Sequence, residues 1–392
     1  MNNLFSYIKN NRFELLITFC IFTNLFPMQF PNFIYYVGLA LISFKMYQSK
    51  LYFNKNALYY ISLMIVMLLS STINFALDFR IVLFFVLLIL TSPIYTSFKW
   101  HQFKKKLLFN FFIGFVFVVI VSLYAKFIGY NYQAINVGTD YKELSETEFS
   151  GFARYPMWIS AAAAICTVFI FNLFISCKKK TIRLFYFLFM LASIYINVIS
   201  ASRSALVASF IVIVLTIYFS SARIKTFLKY VSIILLSTVL LYPFFSENSD
   251  AMMRKQIGQE QSGKTSRDEL WGQRMAEFKS SPLIGIGFAA HGVGDDKQVG
   301  RNESGGGWIS ILSQIGVIGF VLVVLIISKA ITSKSKLLND KYMMIVYMTF
   351  IFFCLHSIFE GYMFQGGWYL CLIFWLCTGV LIENKQYNIN KQ

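Results

Sequence analysis

The stretch "KWHQFKKKLLFNFFIGFVFVVIVSLYAKFI", residues 99 to 128, sets four lysines and a histidine against a long apolar run. About 20 apolar residues cross the roughly 30 Å hydrocarbon core of a bilayer as a helix, and the run from Leu107 to Ile128 meets that length. In lipid every backbone N–H and C=O must be paired within the protein, so a lone apolar run of this length is helical. The same pattern of charged connector and apolar run repeats along the chain. Of the 392 residues 57% are hydrophobic and only 14% are charged, with a strongly positive mean hydropathy. That excludes a soluble domain. The sequence predicts an all-α polytopic integral membrane protein with about 12 transmembrane helices, at 13–29, 33–47, 57–74, 80–98, 107–128, 156–176, 184–201, 204–220, 230–246, 306–327, 342–360 and 366–382.

Charge fixes an orientation. With both termini placed in the cytoplasm, the cytoplasmic tails and connectors hold 22 of the 35 Lys and Arg residues, opposed only by Glu14, Asp340 and Glu383. The other face holds 13 basic and 15 acidic residues. This is the positive-inside bias, so the net charge of +17 reports topology and gives no reason to expect nucleic acid as a partner. The basic start and apolar run of "MNNLFSYIKNNRFELLITFCIF" resemble a secretory signal, but Pro27 and Pro31 follow in place of a small-residue cleavage site, and the segment is expected to stay as the first span. The six cysteines lie in or at the ends of spans, which offers neither a disulfide framework nor zinc spacing.

The chain divides accordingly. Residues 1–246 hold nine spans and a smaller exterior loop at 129–155, residues 247–305 form a large extracytoplasmic loop, and residues 306–392 hold three more spans and a cytoplasmic tail. In the large loop, Ser266 and Glu269 have capping-box spacing, Asp268 and Glu269 suit the positive end of a helix, and "SSP" stops it near Ser280. Arg267, Trp271, Arg274 and Phe278 then share one face, a basic and aromatic stripe suited to a lipid interface or to a lipid-linked phosphate. The glycines of "PLIGIGFAAHGVGDDKQVGRNESGGGW" permit tight turns and close backbone approach, and no phosphate-loop lysine accompanies them.

The order "SRDELWGQRMAEFKSSPLIGIGF", a polar turn, then "WISILSQIGVIGF", with "SASRSA" in an earlier span, resembles the signature region of O-antigen polymerases (Wzy) and O-antigen ligases. The resemblance is detailed over about residues 195–327. It implies a GT-C-like glycosyltransferase of the bacterial cytoplasmic (inner) membrane, acting on the extracytoplasmic face on an undecaprenyl-diphosphate-linked oligosaccharide donor and acceptor, with a chain-length regulator as a further partner and no cofactor or obligatory metal. A polymerase moves the growing glycan onto a lipid-linked repeat unit; a ligase moves it onto lipid A core. Family ligases carry a histidine near the start of the span after the big loop. Here that place reads "RNESGGGW", with His291 twelve residues before Glu303, which favours the polymerase reading.

Cleaving a sugar–diphosphate bond puts negative charge on the leaving group, and arginine meets it with a planar, always-charged fork. An arginine within a span is a functional candidate by default, so Arg203 is expected to face an exterior cavity and bind diphosphate; the alternative is a tight exterior turn at "SASRS" from which it snorkels to the surface. Arg154, Arg267, Arg274 and Arg301 are further candidates for the same work, and Glu360 is expected to pair with one of the arginines. The acceptor hydroxyl needs a base, for which Glu303 in an apolar setting or His291 would serve. Tyr35, Tyr36, Tyr130, Tyr155, Trp158, Trp308, Trp368 and Tyr369 fit interfacial belts, with stacking on sugar rings as the other use. A flippase is a third reading, disfavoured because the one large loop has no counterpart in the first half of the chain, where transporters show paired repeats.

Overall fold

The computed structural model describes residues 2–26, 29–132, 148–220, 225, 227–228, 232, 266–300, 305–333 and 340–389. Arg301 and Glu303, the predicted span at 230–246 and most of the acidic part of the 129–155 loop lie outside these residues. The elements are α1 (Asn2–Asn10), α2 (Arg12–Phe22), α3 (Phe33–Tyr47), β1 (Tyr52–Phe53), α4 (Ala57–Ile73), α5 (Phe79–Thr91), β2 (Tyr95–Thr96), α6 (Phe98–Phe127), α7 (Pro156–Ser176), α8 (Lys180–Ile199), α9 (Arg203–Ser220), α10 (Ser266–Ser280), β3 (Ala290–His291), β4 (Gln298–Val299), α11 (Gly307–Ile331), α12 (Lys341–His356) and α13 (Tyr369–Ile389). β1 pairs antiparallel with β2, and β3 with β4. Five of the described helices, α6 to α9 and α11, are long and apolar enough to cross a membrane, and α3, α4, α5, α12 and residues 369–384 of α13 are shorter apolar helices. This is a helical, polytopic membrane protein.

The two most central helices explain themselves by composition. α7 is buried from Trp158 to Asn172 and α13 from Tyr369 to Asn384, and a helix that is apolar all round belongs inside a bundle. α6 and α12 pack against both, while α8 turns Leu184, Phe185 and Leu188 outward, as a lipid-facing helix does.

The fourth and fifth predicted spans are corrected at their shared end. α5 stops at Thr91, because Ser92 precedes Pro93 and is extended (ψ 170°). α6 starts nine residues before the expected Leu107, since Ser97 accepts a hydrogen bond from the Trp100 N–H at 3.2 Å and so caps it. "KWHQFKKK" is therefore helix, not a solvated connector. Lys104 can enter the protein because Glu383 Oε1 meets its Nζ at 2.5 Å, while His101 Nδ1 lies 2.9 Å from Glu383 Oε2; all three side chains are at least 98% buried. Glu383 is thus an interior carboxylate, not a solvated residue at the start of the tail.

α11 carries the main irregularity. Gly316 inside it has φ +62°, ψ −171°, which breaks the ladder, and the segment "SPLIGIG" (281–287) fills the gap. Ile286 and Gly287 donate to the carbonyls of Ser313 and Gln314 at 3.0 and 3.1 Å, and Val317 and Ile318 donate to those of Pro282 and Leu283 at 2.9 and 3.2 Å. Non-helical backbone at this depth is tolerated where protein pairs it. Gly285 (φ +75°) and Gly316 are both obligatory, because a Cβ would fall on the backbone of Gln314 or of Leu283 respectively.

Candidate functional site

The helix predicted from Ser266 to Ser280 is present with those bounds. Its basic and aromatic stripe, however, turns toward protein. Arg267 donates through Nη2 to Glu360 Oε1 at 2.6 Å and through Nη1 to the Gly305 carbonyl at 2.9 Å. Trp271 Nε1 donates to the same carbonyl, and its ring stacks on Phe359 at 6.3 Å. The lipid-interface expectation for this stripe is corrected: its guanidinium and indole groups are partnered within the fold, while Asp268, Glu269, Gln273 and Lys279 face outward. Glu360 pairs with an arginine, Arg267.

One turn further along α10, Arg274 and Glu277 are 3% and 0% exposed. Arg274 Nη1 donates to Glu277 Oε2 at 2.8 Å and to the Ala290 carbonyl at 3.3 Å, and the Gly292 N–H donates to Glu277 Oε1 at 2.8 Å. Charge-assisted bonds from one buried pair therefore hold the chain on both sides of His291, at the β3 strand of the β3–β4 hairpin. The hairpin is tied at its other edges as well: Phe288 N–H donates to Ser71 Oγ at 2.9 Å, Ala289 N–H to Gln314 Oε1 at 3.3 Å, and Lys297 Nζ to the Asn74 carbonyl at 2.8 Å. Burial pushes the Lys297 ammonium below the usual lysine range.

Against this hairpin lies a cavity of about 280 Å³. Its cationic lining is Arg80, Arg154 and Arg274, with His291, and no carboxylate lines it among the described residues. The first turns of α5, α7 and α11 contribute Arg80, Trp158 and Gly307, so three helix N-termini add their positive ends to the same field. The opposite wall is aromatic and amide: Asn24, Tyr35, Tyr36, Trp158, Gln365 and Trp368. Tyr35 OH donates to the Gly366 carbonyl at 2.9 Å and Tyr369 OH to that of Trp158 at 2.9 Å, which fixes the 361–368 loop and the start of α7. Arg80 Nη1 and His291 Nδ1 are buried with no hydrogen-bond partner among the described residues. Arg154 is exposed at the rim, its guanidinium 5.2 Å from the Tyr155 ring.

Of the predicted site residues, the structure brings Arg154, Arg274 and His291 to one cavity and sets Arg267 and Glu360 beside it as an ion pair. Arg203 is exposed as the first residue of α9, on a turn where Ala201 has φ +54°, and it is not among the cavity-lining residues. The belt expectation is corrected for Tyr35, Trp158, Trp368 and Tyr369, which are no more than 7% exposed inside the bundle. Arg80 and Asn24 went unremarked in the sequence. A lone guanidinium at the exterior end of the apolar run in "ALDFRIVLFFVLL" was the available signal.

Residues 185–324 match the family model described as O-Antigen ligase, which covers most of α8, all of α9, α10 and the hairpin, and most of α11, and supports placing that part of the chain in the superfamily of O-antigen ligases and polymerases. Members of that family are glycosyl-transferring enzymes. No curated protein matches the chain.

Proposed function

We propose that this chain, with its O-antigen ligase-family segment, is a polysaccharide repeat-unit polymerase that transfers a growing glycan from polyprenyl diphosphate to a lipid-linked acceptor unit at the cationic cavity. The observation that carries this reading is the lining itself. Arg80 and Arg154, with Arg274 paired to Glu277 behind it, three helix N-termini and no carboxylate lining the cavity among the described residues suit an anionic ligand such as a phosphate. Every described lining residue lies on a connector or span end that the charge count assigns to the exterior, which is where a carrier-linked glycan would be used.

In this reading the acceptor hydroxyl oxygen bonds to the anomeric carbon as the bond from that carbon to the diphosphate oxygen breaks. The electron pair leaves on the diphosphate, where Arg80 and Arg274 stabilise it, with Arg154 at the rim. The hydroxyl proton passes to His291 Nδ1, whose lone pair is unspent when the other ring nitrogen carries the hydrogen. Arg274 has a double duty, since the same guanidinium braces the His291 hairpin through Glu277. Glu303 is the alternative base and Arg301 a further cation, both outside the described residues. Arg203, outside the lining, would meet the carrier's head only on its way in.

A ligase is the second reading, favoured by the description of the matching family model. The two differ in acceptor. Purified protein incubated with a synthetic polyprenyl-diphosphate repeat unit, without nucleotide, is expected to give a ladder of products. Transfer only when lipid A core is added would establish the ligase, and no transfer to either acceptor would refute both.

A further inference from the structure

Among the described residues, eleven buried side-chain polar atoms have no hydrogen-bond partner, and five of them belong to residues lining the one cavity: Asn24 Oδ1, Arg80 Nη1, Trp158 Nε1, His291 Nδ1 and Trp368 Nε1. Native interiors leave few such groups unmet, so their concentration around a single cavity points to a ligand that meets them. The five fall into two sets. Arg80 faces the hairpin side, where its Nη1 lies 3.5 Å from the position a Cβ would take on Gly300, and Gly300 in turn bonds to Ala289 beside His291. Asn24, Trp158 and Trp368 form the other set: the two indoles sit 5.3 Å apart between centroids, and Asn24 Nδ2 donates to the Gly367 carbonyl at 3.4 Å.

The second set suits a phosphate less well than the first. Phosphate oxygens only accept, and the Asn24 amide, oriented by its donation to Gly367, presents an acceptor oxygen of its own. Two donors and one acceptor beside aromatic faces instead match a pyranose, whose hydroxyls both donate and accept and whose C–H faces lie against rings. Both indoles are more than nine-tenths buried, which makes their unspent N–H groups selective and not merely sticky. We infer that Asn24, Trp158 and Trp368 form a sugar subsite holding the carrier-proximal sugar of the lipid-linked glycan, while the Arg80 side takes the diphosphate. This inference rests on the transferase reading.

The test uses the full chain in neutral nanodiscs and two probes: polyprenyl diphosphate alone, and the same carrier bearing one N-acetylhexosamine. Wild type is expected to bind the sugar-bearing probe at least tenfold more tightly. Trp158→Phe and Trp368→Phe keep a ring and delete an N–H; each is expected to remove about 3- to 10-fold of that preference while changing affinity for the bare carrier less than twofold. Since neither N–H has a partner in the protein, neither variant should lower the unfolding temperature, which separates subsite loss from damaged packing. Arg80→Ala should weaken both probes alike. A wild type that does not distinguish the probes, or a double Phe variant that keeps the preference, overturns the subsite and leaves the transferase reading standing. A wild type that binds neither probe refutes that reading and the subsite with it.

Discussion

Glu277→Ala gives the sharpest test of how the His291 hairpin is held. The substitution removes the partner of Arg274, 3% exposed, and the acceptor of the Gly292 N–H, both at 2.8 Å. Breaking a buried ion pair from one side costs about 3–5 kcal/mol, because the remaining charge is left unmet. Here that loss falls on a local unit, the hairpin and the second half of α10, so it appears as easier opening of that unit. At about 1.4 kcal/mol per factor of ten, hydrogen-exchange protection across residues 286–300 should drop by about two to three and a half orders of magnitude, while protection in α7 and α13 stays at the wild-type level. Glu277→Gln keeps an acceptor for Gly292 and should lose markedly less. Removing both charges, Arg274→Met with Glu277→Ala, should lose less than the sum of the single changes, as coupled partners do. Strictly additive losses, or unchanged protection in Glu277→Ala, would refute the account of the pair as the hairpin's brace.

Three further outcomes follow from the same geometry. Gly316→Ala should cost more than the roughly 1–2 kcal/mol of a left-handed backbone alone, because its Cβ would fall on the Leu283 carbonyl; Gly272→Ala, in open space on α10, should be neutral or slightly stabilising, and thermal unfolding in detergent compares the two. Lys104→Met should destabilise the protein by about 3–5 kcal/mol by leaving Glu383 with His101 alone, and adding Glu383→Gln should recover most of that loss; equal melting of Lys104→Met and wild type would contradict the buried network. Arg80→Ala should lower kcat/KM about 100-fold in the ladder assay, with Arg80→Lys recovering only part of it because the fork is lost.

Several helix bounds were legible from the apolar runs: α3, α4, α7 and α9 lie within a residue of their predicted bounds, and α10 runs from Ser266 to the "SSP" stop. Direction around a helix axis was not legible where the helix is apolar on every side. Trp158 and Trp368 stand at predicted span ends, where a belt is the expectation, but α7 and α13 are enclosed by other helices, so the burial of both indoles is a tertiary fact. The Lys104–Glu383 contact joins residues 279 positions apart, and the charge count could only treat each as solvated. The four-residue spacing of Arg267 and Trp271 correctly put both on one face; periodicity alone could not say that the face is met by Gly305 and Glu360.

The broken ladder of α11 limits how this molecule can move. The chain from Pro282 to Gly287 supplies the missing rungs of a spanning helix, so the hairpin wall behind Phe288 is anchored by the same main-chain bonds that hold that helix together. The opposite wall, the connector between α12 and α13, is held as well: Tyr35 OH and Asn24 Nδ2 donate to its Gly366 and Gly367 carbonyls, Trp375 Nε1 donates to the Met363 carbonyl at 2.8 Å, and Glu360 pairs with Arg267. Both walls of the cavity are thus built into the fold, and the side bearing the indoles is as firmly tied as the side bearing the hairpin.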